Sequence, residues 1–443
     1  MRILLIHNQY KQYGGEDFVF RSESNLLSQH GHQVDQVLYD NSTMKGAFQK
    51  LLSGLKSLYN PDSAKVFETK IRQFNPDVIH VHNFLPLVSP SIFFIAKKFC
   101  IPVILTLHNY RLICPSATLF YKGRIYEKSI RFILPLDAIW KGVYRNSKIQ
   151  TCVVALMTAI HNVIGTWRNK VDRYITLTQF AKEKFQNSTL SIPRKKLLVK
   201  PNFVEDAGKG DQIREDFYLF IGRLTEEKGV GTLLNAAALH NFKLIIIGSG
   251  PLSPMIEEAA RQNTNIQFLG FQAKPTIIEH LKKCKALIFP SIAYEGFPIT
   301  ILEAFSTGTA VIASSLGGLK EIVKHEINGL HFETGNEKDL VTKIIQLEKE
   351  QGLLEKLSAE ARLNYLEQYT PEKNYDSLLD IYEQVVEQQK QEKARLNNIT
   401  KPELISRFKL LDGKSQLASV RSQLQNRFQR LFGANLSINK TRD

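Results

Sequence analysis

Short apolar runs alternate with helix-patterned segments along this chain, and the alternation breaks once and then restarts. RILLIHN (2–8), HQVDQVLY (32–39), PDVIHVHN (76–83), PVILTLHN (102–109) and VDRYITLT (171–178) have the length and composition of strands. Between them, EDFVFRSESNLLSQHG (16–31), VFETKIRQF (66–74) and SPSIFFIAKKF (89–99) carry helical spacing, the first stopped by Gly31. Strand and helix in turn specify a parallel sheet with right-handed crossovers. KPNFVEDAGKGDQIRED (200–216) is polar and rich in Gly and Asp, as linkers are. The pattern then resumes with strands at 217–223, 242–248, 266–270, 286–291 and 310–314, separated by helices at 229–241, 254–263, 274–284 and 298–307. Helices at 337–350, 352–368 and 371–388 follow. The expected chain is α/β: two doubly wound domains, 1–200 and 201–387, then a tail, 388–443. Residues 110–170 are irregular, aromatic and basic, and read as an insertion with its own helices. No short-period repeat occurs, and the halves share only architecture.

In open α/β sheets ligands sit outside the carboxyl ends of the strands. After the first strand, NQYKQYGGEDF sets Gly14 and Gly15 before a helix that starts near Glu16. A Gly-Gly turn lets a ligand reach the backbone and a helix start favours anions, although an ordinary turn has the same composition. The stretch is not GxGxxG, and no acid is read as closing the second strand, which counts against NAD. His80 and His82 end the third strand and His108 the fourth. A metal would need a carboxylate or third His close by, and the local sequence offers none. His108 is read as a polar contact in the cleft, His82 as a buried structural residue. FIGRLTEEKGV (220–230) puts Arg223 at a strand end and Lys228 five residues later. A planar fork and a point charge at a cleft mouth suit a diphosphate, the alternative being a solvated loop in which Glu226 balances Lys228.

YEGFPITILEAF (294–305) holds Glu295 and Glu303 eight positions apart. On one helix that separation is about 12 Å and roughly 80°. A glycosidase pair flanks one bond at roughly 5 to 9 Å, so an acid/base pair is excluded. Pro298 suits the first helical turn, leaving Glu295 in the loop and Glu303 on the helix. The Gly-Phe-Pro between them is expected to bring backbone N–H groups to a helix start, suited to anions and hydroxyls. One ligand with two ends, each bearing hydroxyls, would use both acids.

Bulk properties narrow the class. At 443 residues, 43% hydrophobic and 10% aromatic, the chain exceeds one core and is not a disordered polymer. Cys100, Cys114, Cys152 and Cys284 form no CxxC pair, which reads as reduced, cytosolic and free of structural zinc. No apolar run of about 18 residues exists, so no membrane span is expected. The most apolar helix candidate, 152–165, is short and contains His161 and Asn162. MRILLIHNQY reads as a strand without a cleavage site, so no signal peptide is expected. The net charge is 58 − 43 = +15, and residues 388–443 hold 12 Lys/Arg against 4 Asp/Glu. Such a balance favours anionic partners, or marks a merely soluble basic protein.

These motifs together resemble the retaining glycosyltransferases of family 4, of GT-B architecture with two facing Rossmann-like domains and a cleft between. The matching stretches are GGED (14–17), DVIHVHN (77–83), TLHNYRLICP (106–115), FIGRLTEEKG (220–229), EGFPITILEA (295–304, a Glu-x7-Glu motif) and GLKEIVKHEINGLHF (318–332). TLHNYRLICP looks like the bacterial polysaccharide-type members. The resemblance implies that Arg223 and Lys228 hold the donor diphosphate and that Glu303 bonds the ribose. It implies that Glu295, with the backbone of Gly296, Phe297 and Pro298, holds the donor sugar, while His108 reaches that sugar from the opposite domain. Gly14 and Gly15 would line the phosphate and acceptor side. Such enzymes keep the anomeric configuration without an enzyme nucleophile, the leaving phosphate taking the acceptor proton. No Asp-x-Asp occurs, so no metal and no cofactor are implied, only a UDP- or GDP-sugar as substrate. Relatives often carry cysteines near the place where KGRIYEKS (122–129) stands; here they are absent, which counts against a metal or disulfide there and against a close subgroup assignment.

The tail lies outside the resemblance. ELISRFKLLDG (403–413) and LASVRSQLQNRFQRLFG (417–433) read as amphipathic basic helices, fit either for an anionic membrane or for packing on protein. Membrane association at the inner face would suit a glycan or lipid-linked acceptor. Nucleic acid is not expected as a partner, since only Phe408, Phe428 and Phe432 are aromatic there. The competing readings are a sugar-nucleotide epimerase or a phosphorylase on the same fold, and a non-catalytic scaffold.

Overall fold

The structure is a computed structural model that describes residues 1–9, 14–40, 56–210 and 213–397. Residues 1–386 form one compact unit holding two six-stranded parallel sheets. The first contains β1 (Arg2–Gln9), β2 (Gln33–Asp40), β3 (Val78–Val81) and β4 (Val103–Leu107). A small antiparallel hairpin, β5 (Phe120–Tyr121) with β6 (Arg124–Ile125), interrupts it before β7 (Arg173–Thr176) and β8 (Leu197–Val199). The order is β2-β1-β3-β4-β7-β8. The second sheet contains β9 (Tyr218–Ile221), β10 (Leu244–Ile247), β11 (Ile266–Gly270), β12 (Ala286–Phe289), β13 (Ala310–Ser314) and β14 (Gly329–Phe332) in the order β11-β10-β9-β12-β13-β14. The second order is that of dinucleotide-binding sheets; the first is the flavodoxin-like order with a sixth strand. Each sheet changes direction once, at β1/β3 and at β9/β12, and ligands bind outside such points.

Helices on both faces make the strands continuous apolar runs rather than alternating ones. Along β1, Ile3 and Leu5 pack into one layer with Phe20, Leu27 and Ile104, while Leu4 and Ile6 point into the other with Phe67, Ile71 and Phe93. The helix Pro371–Asn397 adds Leu378, Ile381, Tyr382 and Val385 to the Ile3 layer. These recur at helical steps, so a segment that follows the second sheet in sequence completes the core of the first.

The alternation read from sequence reproduces the observed elements, with differences that have local causes. β8, three residues long, is too short to show a period, and β14 is not among the strands expected. The helix Pro61–Phe74 starts earlier than its apolar pattern, because Asn60 caps it through Asp62 and Ser63 N–H and Pro61 opens it. β2 runs to Asp40, so an acid does close the second strand, contrary to expectation. The stretch expected as a linker begins inside the core: Lys200, Asn202, Phe203 and Val204 are buried. The insertion does carry its own helices, Leu136–Lys141, Lys148–Val163 and Thr166–Asn169. Among the described residues no helix is long and apolar enough to cross a membrane. The tail helices expected at 403–413 and 417–433 lie outside the described residues.

Candidate active site

The loops that follow β9 and β12 meet at the switch point of the second sheet. Gly229 makes this possible: its φ is +71°, and a Cβ there would lie 1.8 Å from the Pro290 carbonyl oxygen. Only glycine tolerates both the left-handed backbone and that approach. The β9 loop is thereby pressed against the end of β12, and Lys228 Nζ lies 2.8 and 2.9 Å from the two carboxylate oxygens of Glu295. Ser291 Oγ donates to the same carboxylate at 2.6 Å. Lys228 is therefore balanced by Glu295, not by Glu226 as the alternative reading had it. Arg223, just past β9, is exposed and makes no ion pair among the described residues.

The helix Ile299–Ser306 starts immediately after, with Pro298 as its N-cap and no side-chain cap. Proline has no N–H, so of Gly296, Phe297 and Pro298 only the first two can donate. The Phe297 ring packs on Tyr369, and its carbonyl accepts from Asn202 Nδ2 at 3.4 Å. Glu303 is buried on this helix and paired with Lys274. Burial pushes its carboxyl above the ordinary value, with Lys274 opposing. The two glutamates are thus held by different lysines.

The first domain supplies the facing wall. Gly14 caps the helix Gly15–Gln29, and its N–H donates to Asp17 Oδ2 at 2.9 Å. The other Asp17 oxygen meets His7 Nε2 at 2.8 Å, tying β1 to the helix start. His108, just beyond β4, is buried, and its Nε2 lies 3.1 Å from His82 Nδ1. Burial holds His108 below the ordinary histidine value and His80 and His82 well below it, so the three rings are neutral. Behind them Glu23 is bound by Lys200 Nζ at 2.7 Å and stands 3.4 Å from His82 Nε2. Burial alone would raise the Glu23 carboxyl, but the Lys200 ammonium beside it brings it below its usual value.

Glu23 corrects the expectation that no carboxylate stands near His80 and His82. The three lie together, buried, with donor atoms within 4.8 Å of one another. His80 is engaged at both nitrogens by the Tyr382 and Thr106 hydroxyls at 2.7 Å and Lys200 holds Glu23 Oε1, whereas Glu23 Oε2 and His82 Nε2 are buried without a hydrogen-bond partner among the described residues. The cluster is a polar support beneath His108. Glu23 was hidden because it lies 57 and 59 residues before the two histidines, on another element.

The two walls touch. A Cβ on Gly296 would lie 2.6 Å from the His108 carbonyl oxygen, and one on Gly15 would lie 3.8 Å from Ile299 Cγ1. The N-termini of the helices Gly15–Gln29 and Ile299–Ser306 therefore converge on one cleft, each with its positive dipole end inward. Lys274 Nζ lies 5.1 Å over the Phe18 ring, adding a further bridge. Glu16 also reaches this region: Asn109 Nδ2 donates to its Oε1 at 2.7 Å, while its Oε2 is buried without a partner among the described residues. The signal for Glu16 in the sequence is an acid placed directly after the Gly14-Gly15 turn. A separate cavity of about 350 Å³ opens at the amino ends of β9 to β11, beside Phe217, Lys243 and Asn265. Parallel sheets do not bind substrates at that end, so it does not compete with the cleft.

Comparison with known proteins agrees with this geometry. The model "Glycosyltransferase Family 4" matches residues 13–207, and "Glycosyl transferases group 1" matches 205–364. An uncharacterized glycosyltransferase of Methanocaldococcus jannaschii is 33% identical over 195 residues, covering 42% of this chain and 49% of the relative. The N,N'-diacetylbacillosaminyl-diphospho-undecaprenol alpha-1,3-N-acetylgalactosaminyltransferase of Campylobacter jejuni is 29% identical over 179 residues, 39% of this chain and 46% of that one. The chain thus spans about half the length of these curated relatives. Anabaena HepE, solved in complex with UDP, superposes with a TM-score of 0.63 at 16% identity, over 87% of this chain and 100% of HepE. With two family models that meet at residues 205–207 and together run from 13 to 364, the chain belongs to glycosyltransferase family 4.

Proposed function

We propose that the chain transfers a sugar from a nucleotide diphosphate donor to a glycan or lipid-linked acceptor in polysaccharide synthesis, with retention and without a metal. The observation that carries this reading is the Lys228–Glu295 pair at the switch point of the second sheet, with the neighbouring Gly296 packed against the His108 backbone of the other domain. The donor diphosphate would lie at the two converging helix starts, with Arg223 and Lys228 as its cations. Transfer then needs charge stabilisation of the leaving diphosphate, which preorganised cations and dipoles supply. Lys228 bonds both carboxylate oxygens of Glu295. An arriving phosphate offers Lys228 a second partner and leaves Glu295 oxygens to accept hydrogen bonds from sugar hydroxyls. Glu303 would accept from the ribose, and neutral His108 would bond a sugar hydroxyl without adding charge. The leaving phosphate oxygen would take the acceptor proton on the face it departs from, so no base is required.

The UDP in HepE and the diphospho-undecaprenol-linked sugar in the Campylobacter enzyme's name support a UDP-sugar and a lipid-linked acceptor as first substrates to try. A thermal-shift screen of UDP- and GDP-sugars tests the donor, since a ligand at about 100 times its Kd adds about 2.7 kcal/mol to native stability. Release of nucleoside diphosphate with acceptor present tests transfer. Conversion of the donor with no acceptor would indicate an epimerase, and binding without turnover of any donor would overturn the transferase reading.

A further inference from the structure

The insertion of the first domain presents an uncovered apolar face. On the helix Lys148–Val163, Ile149, Val153, Leu156, Ile160 and Val163 recur at steps of four and three, while Thr151, Ala155, Thr158 and His161 face inward and are buried. Ile149 is 67% exposed, Leu156 38% and Ile160 43%. The stripe runs about 21 Å at 1.5 Å per residue. Trp140, on the preceding short helix, is 75% exposed and extends the face, since Lys148 Nζ lies 4.2 Å over its ring. Soluble proteins seldom leave such a contiguous apolar surface without a partner.

Charge identifies the partner. Residues 111–170 hold 10 Lys/Arg against 2 Asp/Glu, a net of +8. Residues 388–443 hold 12 against 4, also +8, so the remainder of the chain is 15 − 8 − 8 = −1. The excess is thus confined to two segments, one of which contains this face. Arg145 and Lys148 lie between Trp140 and the stripe, and both are exposed. Of the two acids, Asp137 is already held by Lys141 at 2.9 Å. The tail or a second copy of the chain would bring positive charge against positive charge. A nucleic acid would satisfy the cations and leave the aliphatic stripe in water. An anionic bilayer satisfies both, with Trp at the headgroup level, aliphatic side chains below it and Lys/Arg at the phosphates.

We propose that the face formed by Trp140 and the Ile149–Val163 stripe docks on an anionic lipid membrane. None of its residues belongs to the proposed donor site, so its failure would leave the proposed transfer untouched. The test is cosedimentation of the full chain with vesicles containing phosphatidylglycerol, and with pure phosphatidylcholine, at low and high salt. Three variants are compared: Leu156→Ser with Ile160→Ser; Arg145→Glu with Lys148→Glu; and, in the tail, Arg421→Gln, Arg427→Gln and Arg430→Gln. The wild type is expected to bind the anionic vesicles and to release at high salt. Each insertion variant is expected to lose at least about tenfold in vesicle affinity. Their thermal midpoint and UDP-induced shift should be unchanged, since none of the four side chains is buried in the core. Loss confined to the tail variant would overturn the proposal. So would the absence of anionic-vesicle binding, a dimer broken by the stripe variant, or retention on a single-stranded oligonucleotide in place of vesicles.

Discussion

Lys228 holds both oxygens of Glu295, so the cation and the acid at the centre of the cleft are coupled. Removing Glu295 and removing Arg223 should have separable effects. Glu295→Ala is expected to abolish transfer while keeping nucleotide affinity, because the diphosphate cations remain. Arg223→Ala is expected to weaken diphosphate binding by about 1.5 to 3 kcal/mol, the usual worth of a charge-assisted contact. Equal donor titrations and equal turnover in both variants would sink the assignment. Gly296 gives a sharper steric test. A Cβ there collides with the His108 carbonyl across the cleft. Gly296→Ala is expected to leave the unfolding midpoint nearly unchanged and to lower kcat, as the walls can no longer meet; unchanged kcat would refute the contact. The motif around Glu295 was legible in sequence because its chemistry is local. The Lys228 partnership was not, because Glu295 lies 67 residues away and nothing in either loop names the other.

At the scale of elements, the helices around β1, β3 and β4 depend on a buried ion pair. Lys200 and Glu23 are each 2% exposed and lie 177 residues apart in sequence. Removing one partner strands a charge in the core. Lys200→Met or Glu23→Gln alone is therefore expected to cost about 3–5 kcal/mol, and the double variant clearly less than the sum. Urea unfolding of the three variants measures it, and additive losses would show the pair to be uncoupled. Sequence reading put Lys200 in a linker because its neighbours are polar and Gly-rich. Burial of that lysine is a property of the packed helices, which no window of composition contains.

At the scale of the molecule, the folded state keeps a row of histidines neutral. Burial holds His80 and His82 well below the ordinary value of 6.5. The unfolded chain takes up protons there as pH falls and the folded chain does not, so stability is full above pH 6.5 and declines below it. Each such ring removes about 1.4 kcal/mol per pH unit once well below that value. Glu23, held below its ordinary 4.5, adds a further loss under stronger acid. Urea midpoints from about pH 7.5 to about pH 5.5 should therefore fall, and a flat profile would contradict neutral burial.

What the sequence determined by itself was the alternation that makes two parallel sheets, the loops that follow their strands, and the residue types in those loops. Periodicity, turn chemistry and helix starts are short-range properties, so one chain suffices to read them. The tertiary structure decided who meets whom: Lys228 with Glu295, Glu23 with Lys200 and the histidines, Gly296 with His108. It also decided which apolar stripe is left uncovered on the helix Lys148–Val163. These depend on strand order and layer packing, where residues tens to hundreds of positions apart become neighbours, and the physical cost of burying or exposing each group is set only there.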